Sequence, residues 1–235
     1  MSRSVIALAL ALGLAVHASS AAAAPALAIP SWSAADPLQL LPPPPARGSA
    51  AEAAELAELH DIQTHRTAER LKQAQWDQDH QDWRMYVSTL GPSFDMAKLP
   101  ATAKVLTRVQ RDNAAVSQRA KLTFHRIRPW AADPTLKGCT VGQKDNSFTS
   151  YPSGHTEVGF ALGVTLAYLI PDKAQAILMR ANDYAYSRMV CGVHFRSDTV
   201  AGQALATAVT FDMLRSPRMQ ADLKAAHAEL ESAGF

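Results

Sequence analysis

No stretch of this chain alternates apolar and polar residues for long enough to make a half-buried strand, and its Val and Ile residues are too dispersed to build a sheet. It offers instead a series of helix-length segments separated by stops and caps. Ala51 to about Asp77 is dominated by Ala, Glu, Leu, Gln and Lys, with Leu56, Leu59, Ile62 and Leu71 at roughly helical spacing. A second helix is predicted from about Ala101 to Lys121, carrying Val105, Leu106, Val109 and Val116. Thr156 to Leu169 reads as a buried helix that Pro171 stops, and Asp172 stands where it could cap the next, which runs to about Met189. Asp198 to Leu214 and Pro217 to Leu230 complete the series, with Ser216 as cap and Pro217 at the first helical position. The expected fold class is all-α, a single-domain helical bundle over residues 51–235, and 48% hydrophobic content over 235 residues suffices for one core.

The N-terminus reads as a processing signal. Arg3 precedes an apolar run from Val5 to Val16, and Ser19 to Ala28 is a small-residue zone with several A-x-A sites. This predicts a signal peptide over residues 1–24, with cleavage somewhere in 21–28, and a periplasmic or secreted destination. Residues 25–50 form a Pro-rich arm, expected to be extended, in which Leu40 and Leu41 precede Pro42 to Pro45. Its Trp32, Leu38, Leu40 and Leu41 would rest against the domain; a disordered linker is the alternative. Beyond the signal, the longest apolar run, Val158 to Ile170, falls short of the roughly 20 residues a span needs, so stable membrane insertion is not expected. In an oxidising compartment Cys139 and Cys191 should pair, closing a loop worth roughly 4 kcal/mol on the chain-entropy model, although two free buried thiols remain the alternative. The formal charge of +2 and the scattered Lys and Arg residues give no nucleic-acid footprint.

Three segments carry chemistry. Lys121 is followed after six residues by Arg128-Pro129, a point charge and a planar fork that can converge on one anion. Pro152-Ser153-Gly154-His155 comes just before the apolar helix. There the N–H groups of Ser153, Gly154 and His155, with the Ser153 hydroxyl, would face an anion at a helix N-terminus. His155 on the lip could protonate a departing alkoxide. Ser187-Arg188 is followed by His194 and then Asp198, a separation of four that brings imidazole and carboxylate together on a helix face or through a turn. The carboxylate would fix the tautomer and leave the other nitrogen as nucleophile, with Arg188 holding phosphoryl oxygens. Taken singly, each motif also has a bland reading as surface charge, an ordinary Ser cap or a surface hydrogen bond. His60, His65 and His80 lack metal-binding spacing, His125 receives no role, and His227 is expected on an exposed helix face.

Together these segments, K-x6-RP, PSGH and SR-x5-H-x3-D, resemble the signature of the phosphatidic-acid phosphatase type 2 and vanadium haloperoxidase superfamily. Within it the chain is similar to the class A bacterial nonspecific acid phosphatases, because Ser150 to Thr156 reads SYPSGHT and the arm carries LLPPPP. The resemblance implies an all-helical fold, a Cys139 to Cys191 bridge, and hydrolysis of small phosphomonoesters with no metal and no cofactor. It implies that Lys121, Arg128, Arg188, Ser153 and Gly154 bind phosphate, that His194 becomes a phosphohistidine, that Asp198 orients it, and that His155 serves the leaving group. An alcohol in place of water would give transphosphorylation, and vanadate would inhibit. Trp130 stands where Phe is usual and Thr149 where Gly commonly precedes SYPSGHT; both departures are expected at the pocket rim. The alternatives are a vanadium-dependent haloperoxidase using the same pocket and a non-catalytic phosphate-binding helical module. A homo-oligomer is left open, with no seam identifiable in the sequence.

Overall fold

The computed structural model describes residues 37–139 and 147–235. The expected signal peptide, its cleavage window and Trp32 of the arm lie outside the described residues. In chain order the helices are α1 (Pro37–Leu40), α2 (Ala50–His65), α3 (Ala68–Asp79), α4 (Val87–Leu90), α5 (Pro100–Phe124), α6 (Pro129–Ala132), α7 (Gly154–Leu169), α8 (Ala174–Val190), α9 (Arg196–Arg215) and α10 (Pro217–Ser232). Short 3-10 turns occupy Trp83–Tyr86 and Pro171–Lys173. Among the described residues there is no strand, so the architecture is the all-helical bundle that the sequence predicts.

α7 is apolar on nearly every face, and α5, α8 and α9 pack around it. Val158, Phe160, Leu162, Leu166 and Leu169 are all buried, each worth about 2 kcal/mol of transfer free energy. Two glycines let neighbours approach closely. A Cβ on Gly163 would lie 2.5 Å from the Tyr86 hydroxyl, which donates to the Gly159 carbonyl at 2.6 Å. On α9, a Cβ on Gly202 would lie 2.6 Å from the Ser153 carbonyl at the head of α7. A second apolar cluster, with Leu59, Leu136, Met189, Val193 and Phe195, surrounds the Cys139–Cys191 disulfide. That bridge ties the segment after α6 to the end of α8, and the Cys139 N–H donates to the Cys191 carbonyl at 3.1 Å.

Several local expectations are corrected. The single helix over 51–77 is broken at Arg66 and Thr67, both extended. Thr67 caps α3 by accepting from the Arg70 N–H at 3.1 Å, and the Arg66 guanidinium donates to the Val190 carbonyl. Local capping and this tertiary bond outweigh the helix-favouring composition. Asp172 does not cap α8, since it sits inside the 3-10 turn and Lys173 occupies the cap position. Pro171 stops α7, and Ser216 caps α10 with Pro217 next to it, as the sequence predicts. The arm is not uniformly extended: α1 interrupts it, Leu38 is exposed, Leu41 is buried, and the Pro42 carbonyl accepts from the Tyr151 hydroxyl at 2.6 Å.

Candidate active site

The last turn of α5 delivers Lys121, and His125 then reverses the chain with φ 47°, its ring stacked on Phe148. The chain emerges extended at Arg128, which precedes Pro129 at the start of α6. Lys121 Nζ donates to the Thr149 carbonyl at 2.9 Å and the Pro152 carbonyl at 2.6 Å. Burial and the neighbouring Arg128 push the ammonium down to about 7. Arg128 Nη1 lies 3.0 Å from the Val193 carbonyl and 2.9 Å from His194 Nε2, while Nη2 donates to Thr149 Oγ1 at 3.2 Å. Arg188, on the last turn of α8, is 2% exposed, and one nitrogen donates to Gln78 Oε1. Its Nε and Nη1 are buried with no hydrogen-bond partner among the described residues, donors that a phosphate oxygen would satisfy. Burial lowers both guanidinium groups to about 10.

Gly192, at φ 62°, turns the chain out of α8 and sets His194 ahead of α9. His194 and Asp198 meet across this turn rather than along a helix face, with Nδ1 3.3 Å from Oδ2. Asp198 Oδ2 also accepts from Ser150 Oγ and from the Phe195 N–H at 2.9 Å, and Oδ1 accepts from Arg126 Nη1 at 2.7 Å. A carboxylate held in this way accepts the Nδ1 proton, which leaves the Nε2 lone pair available. Burial, then Arg128, Lys121 and Arg188, hold His194 well below the ordinary imidazole value, so the ring is neutral.

His155 is the second residue of α7, and its Nε2 donates to the Gln78 carbonyl at 3.1 Å. Burial, followed by the Arg188 charge, holds it too well below its usual value. Ser153 caps α7, its hydroxyl oxygen accepting from Thr156 Oγ1 at 3.0 Å. Its N–H donates to the Asp198 carbonyl at 2.9 Å, so it is not a donor to an anion as the sequence suggests. The N–H groups of Gly154 and His155, at the head of α7, have no intrahelical acceptor and remain suited to that role.

Lys121, Arg128, Gly154, His155, Arg188 and His194 line one cavity of about 270 Å³. Ser153 and Asp198 are fully buried and do not line it; Ser153 holds the head of α7 and Asp198 holds His194. Gln78, Gln81, Gln118, Thr149 and Val193 complete the wall, giving a cationic interior with amides around it. Thr149 is at the rim as expected. Trp130 is not, because it packs on the cluster around the disulfide.

Sequence reasoning missed four residues. Arg126 and Ser150 fix Asp198, Gln78 engages both Arg188 and His155, and Glu157 is buried behind Lys121 with its carboxyl pushed up to about 8 by burial. Ser150 and Glu157 flank the PSGH segment, and Arg126 lies between Lys121 and Arg128, so position next to a motif was the available signal. Gln78 comes from α3 and has no local signal. Outside the cavity, His60 Nε2 pairs with Asp133 at 2.8 Å, His65 pairs with Asp61, and His80 stacks on Trp76. His227 is on the exposed side of α10.

Residues 105–221 match the PAP2 superfamily. An acid phosphatase of Zymomonas mobilis subsp. mobilis is 34% identical over 210 residues, covering 85% of this chain and 77% of the relative. A non-specific acid phosphatase of Providencia stuartii is 32% identical, covering 83% and 81%, and one of Salmonella typhimurium is 28% identical, covering 81% and 78%. Among solved structures, a transmembrane PAP2 type phosphatidylglycerolphosphate phosphatase from Bacillus subtilis superposes with a TM-score of 0.54 at 16% identity, covering 71% of this chain and 86% of that one. That likeness is one of fold. Among the described residues here, no helix is long and apolar enough to cross a membrane.

Proposed function

This chain belongs to the PAP2 superfamily and is an acid phosphatase, and from that premise we propose that it cleaves phosphomonoesters through a phosphohistidine at His194. The observation that carries the proposal is the His194 ring itself. Asp198 holds Nδ1, and Nε2 is directed to the Arg128 guanidinium in the cation-lined cavity. When phosphate enters, Arg128 would transfer its donor from Nε2 to a phosphoryl oxygen and expose the lone pair. Arg188 would place its two unpartnered donors on the same group, and Lys121 and the Gly154 and His155 N–H groups would take the remaining charge.

In the first step the His194 Nε2–P bond forms and the P–O ester bond breaks, the leaving oxygen taking a proton from His155. In the second, water gives a proton to His155 and its oxygen attacks phosphorus, which breaks N–P and releases inorganic phosphate. His155 already donates through Nε2 to Gln78, so Nδ1 is the nitrogen that would exchange the proton. The bound phosphate charge offsets the cations that lower its basicity and so favours protonation at the moment it is needed. An alcohol replacing the water gives transphosphorylation. Three cations and a helix N-terminus neutralise the transferring group, so no metal has a necessary place in these steps.

The proposal extends to an exported protein, supported by the signal-like N-terminal sequence and by the Cys139–Cys191 bridge, which a reducing cytosol disfavours. The test is to quench the enzyme in acid-free denaturant during turnover of labelled p-nitrophenyl phosphate. Label bound to protein, stable to alkali and lost in acid, is expected for wild type and must be absent from His194→Ala. Equal labelling of that variant would remove the proposed nucleophile.

A further inference from the structure

We propose that Arg126, anchored by Glu55 of α2, is the positioning residue for the Asp198 and His194 pair, locking the carboxylate so that His194 keeps Nε2 aimed into the cavity. The proposal rests on His194 as nucleophile and adds Arg126, at one of the unspecified positions between Lys121 and Arg128, and Glu55, from outside all three motif segments.

The geometry is a closed grip. The Arg126 side chain is 4% exposed, and Nη1 lies 2.7 Å from both Asp198 Oδ1 and Ser197 Oγ. Its Nη2 donates to Glu55 Oε2 at 2.7 Å, while Glu55 Oε1 accepts from the Ser197 N–H at 2.6 Å. The guanidinium also lies 4.0 Å from the centre of the Phe195 ring. Phe195, Ser197 and Asp198, all within four residues of His194, are therefore held by one planar fork and its carboxylate partner. An ion pair this deep loses much of its Coulombic gain to desolvation, so fold stability alone is a weak reason for it. Fixing one orientation of a carboxylate is a better one, and Arg is suited to it by its rigid, multiply donating plane.

The grip also has an electrostatic consequence. The charged and titratable groups around His194 are Asp198, Lys121, Arg128, Arg188 and His155, with Arg126 and Glu55 behind Asp198. Asp198 left alone would favour the imidazolium and blunt the nucleophile. With Arg126 on its other oxygen, Asp198 orients the ring at a smaller gain in basicity.

The test compares wild type with the double variant Glu55→Gln/Arg126→Met, which removes one charge of each sign, and with Arg126→Lys. Measured are kcat, KM, the pH profile of kcat on p-nitrophenyl phosphate, the inhibition constant of inorganic phosphate, and melting by circular dichroism. In the double variant kcat should fall about 10- to 100-fold while phosphate inhibition changes by less than about 3-fold. The acid limb of kcat should move to higher pH, and Arg126→Lys should restore the limb but only part of kcat. A folded double variant with wild-type kcat and limb overturns the proposal. So does a parallel loss of kcat and phosphate affinity with an unmoved limb, the mark of general loosening. If the Arg126 variants do not fold, Glu55→Gln alone decides: a several-fold lower kcat at unchanged KM is expected, and no change overturns the proposal. Residual turnover in His194→Ala, run alongside, would remove the phosphohistidine itself, whereas a dead His194→Ala beside fully active Arg126 variants removes only the positioning role.

Discussion

His194 Nδ1 lies 3.3 Å from Asp198 Oδ2, on a carboxylate that Ser150, the Phe195 N–H and Arg126 grip from other directions. Each oxygen holds a partner that can only donate, the Phe195 N–H on Oδ2 and Arg126 on Oδ1, so the site has no place for an amide NH2. Asp198→Asn must set that NH2 against one of them, tilting the imidazole or reversing its tautomer. We expect kcat to fall about 10³- to 10⁴-fold, with a loss of roughly 2 kcal/mol in stability. Steady-state assay and urea melts check both numbers.

His155 is expected to matter in proportion to the basicity of the leaving group. p-Nitrophenolate departs without a proton, whereas an alkoxide does not, so His155→Ala should slow alkyl phosphates far more than aryl ones. A gap of about 100-fold between the two substrates is expected, within the usual range for general acid catalysis. Compared as kcat/KM, which reports the first step and leaves out hydrolysis of the phosphohistidine, an equal loss on both would assign His155 to binding.

On p-nitrophenyl phosphate, whose leaving group needs no proton from His155, the alkaline limb of kcat/KM should belong to Lys121. Its ammonium, pushed down to about 7 by burial and by Arg128, loses its proton as pH rises through neutrality, and with it the cavity loses one of the cations that draw in phosphate. Activity per encounter should therefore decline above about pH 7. Lys121→Arg, which keeps its charge, should carry the limb upward even if its rate is lower. Profiles taken at substrate concentrations well below KM measure this directly.

Glu157 should make the fold less stable as pH rises. Burial lifts its carboxyl to about 8 from 4.5, and Oε1 is buried with no hydrogen-bond partner among the described residues. The unfolded chain releases this proton near 4.5 while the folded one keeps it until about 8, so its contribution to stability is full below the lower value and is lost through that interval. Glu157→Gln, neutral throughout, should flatten the slope of melting temperature over the same pH window.

The groups proposed for chemistry were readable from sequence because each sits beside a local signal: Lys121 at a helix end, Arg128 before a proline, His155 after a capping serine. Helix content was readable for the same reason, since caps and stops act over a few residues. What escaped depends on contacts between distant segments. The break at Arg66 is reinforced by the Val190 carbonyl, and the Ser153 N–H is turned away from any anion by the Asp198 carbonyl. Gln78 reaches the cavity from a helix whose own sequence advertises nothing. Trp130 looked like a rim residue only because it follows Arg128 in the chain; in space it belongs to the packing around the disulfide.

Gly202 leaves no clearance between α9 and the head of α7, since a single methyl group there would collide with the Ser153 carbonyl. The Ser153 N–H and the Asp198 carbonyl meet across the same seam, so the cradle for the anion and the mount for the attacking ring behave as one rigid part. Any attempt to enlarge this enzyme's substrate range by redesign should leave that seam alone and recut other parts of the cavity wall, at Gln81 and Gln118.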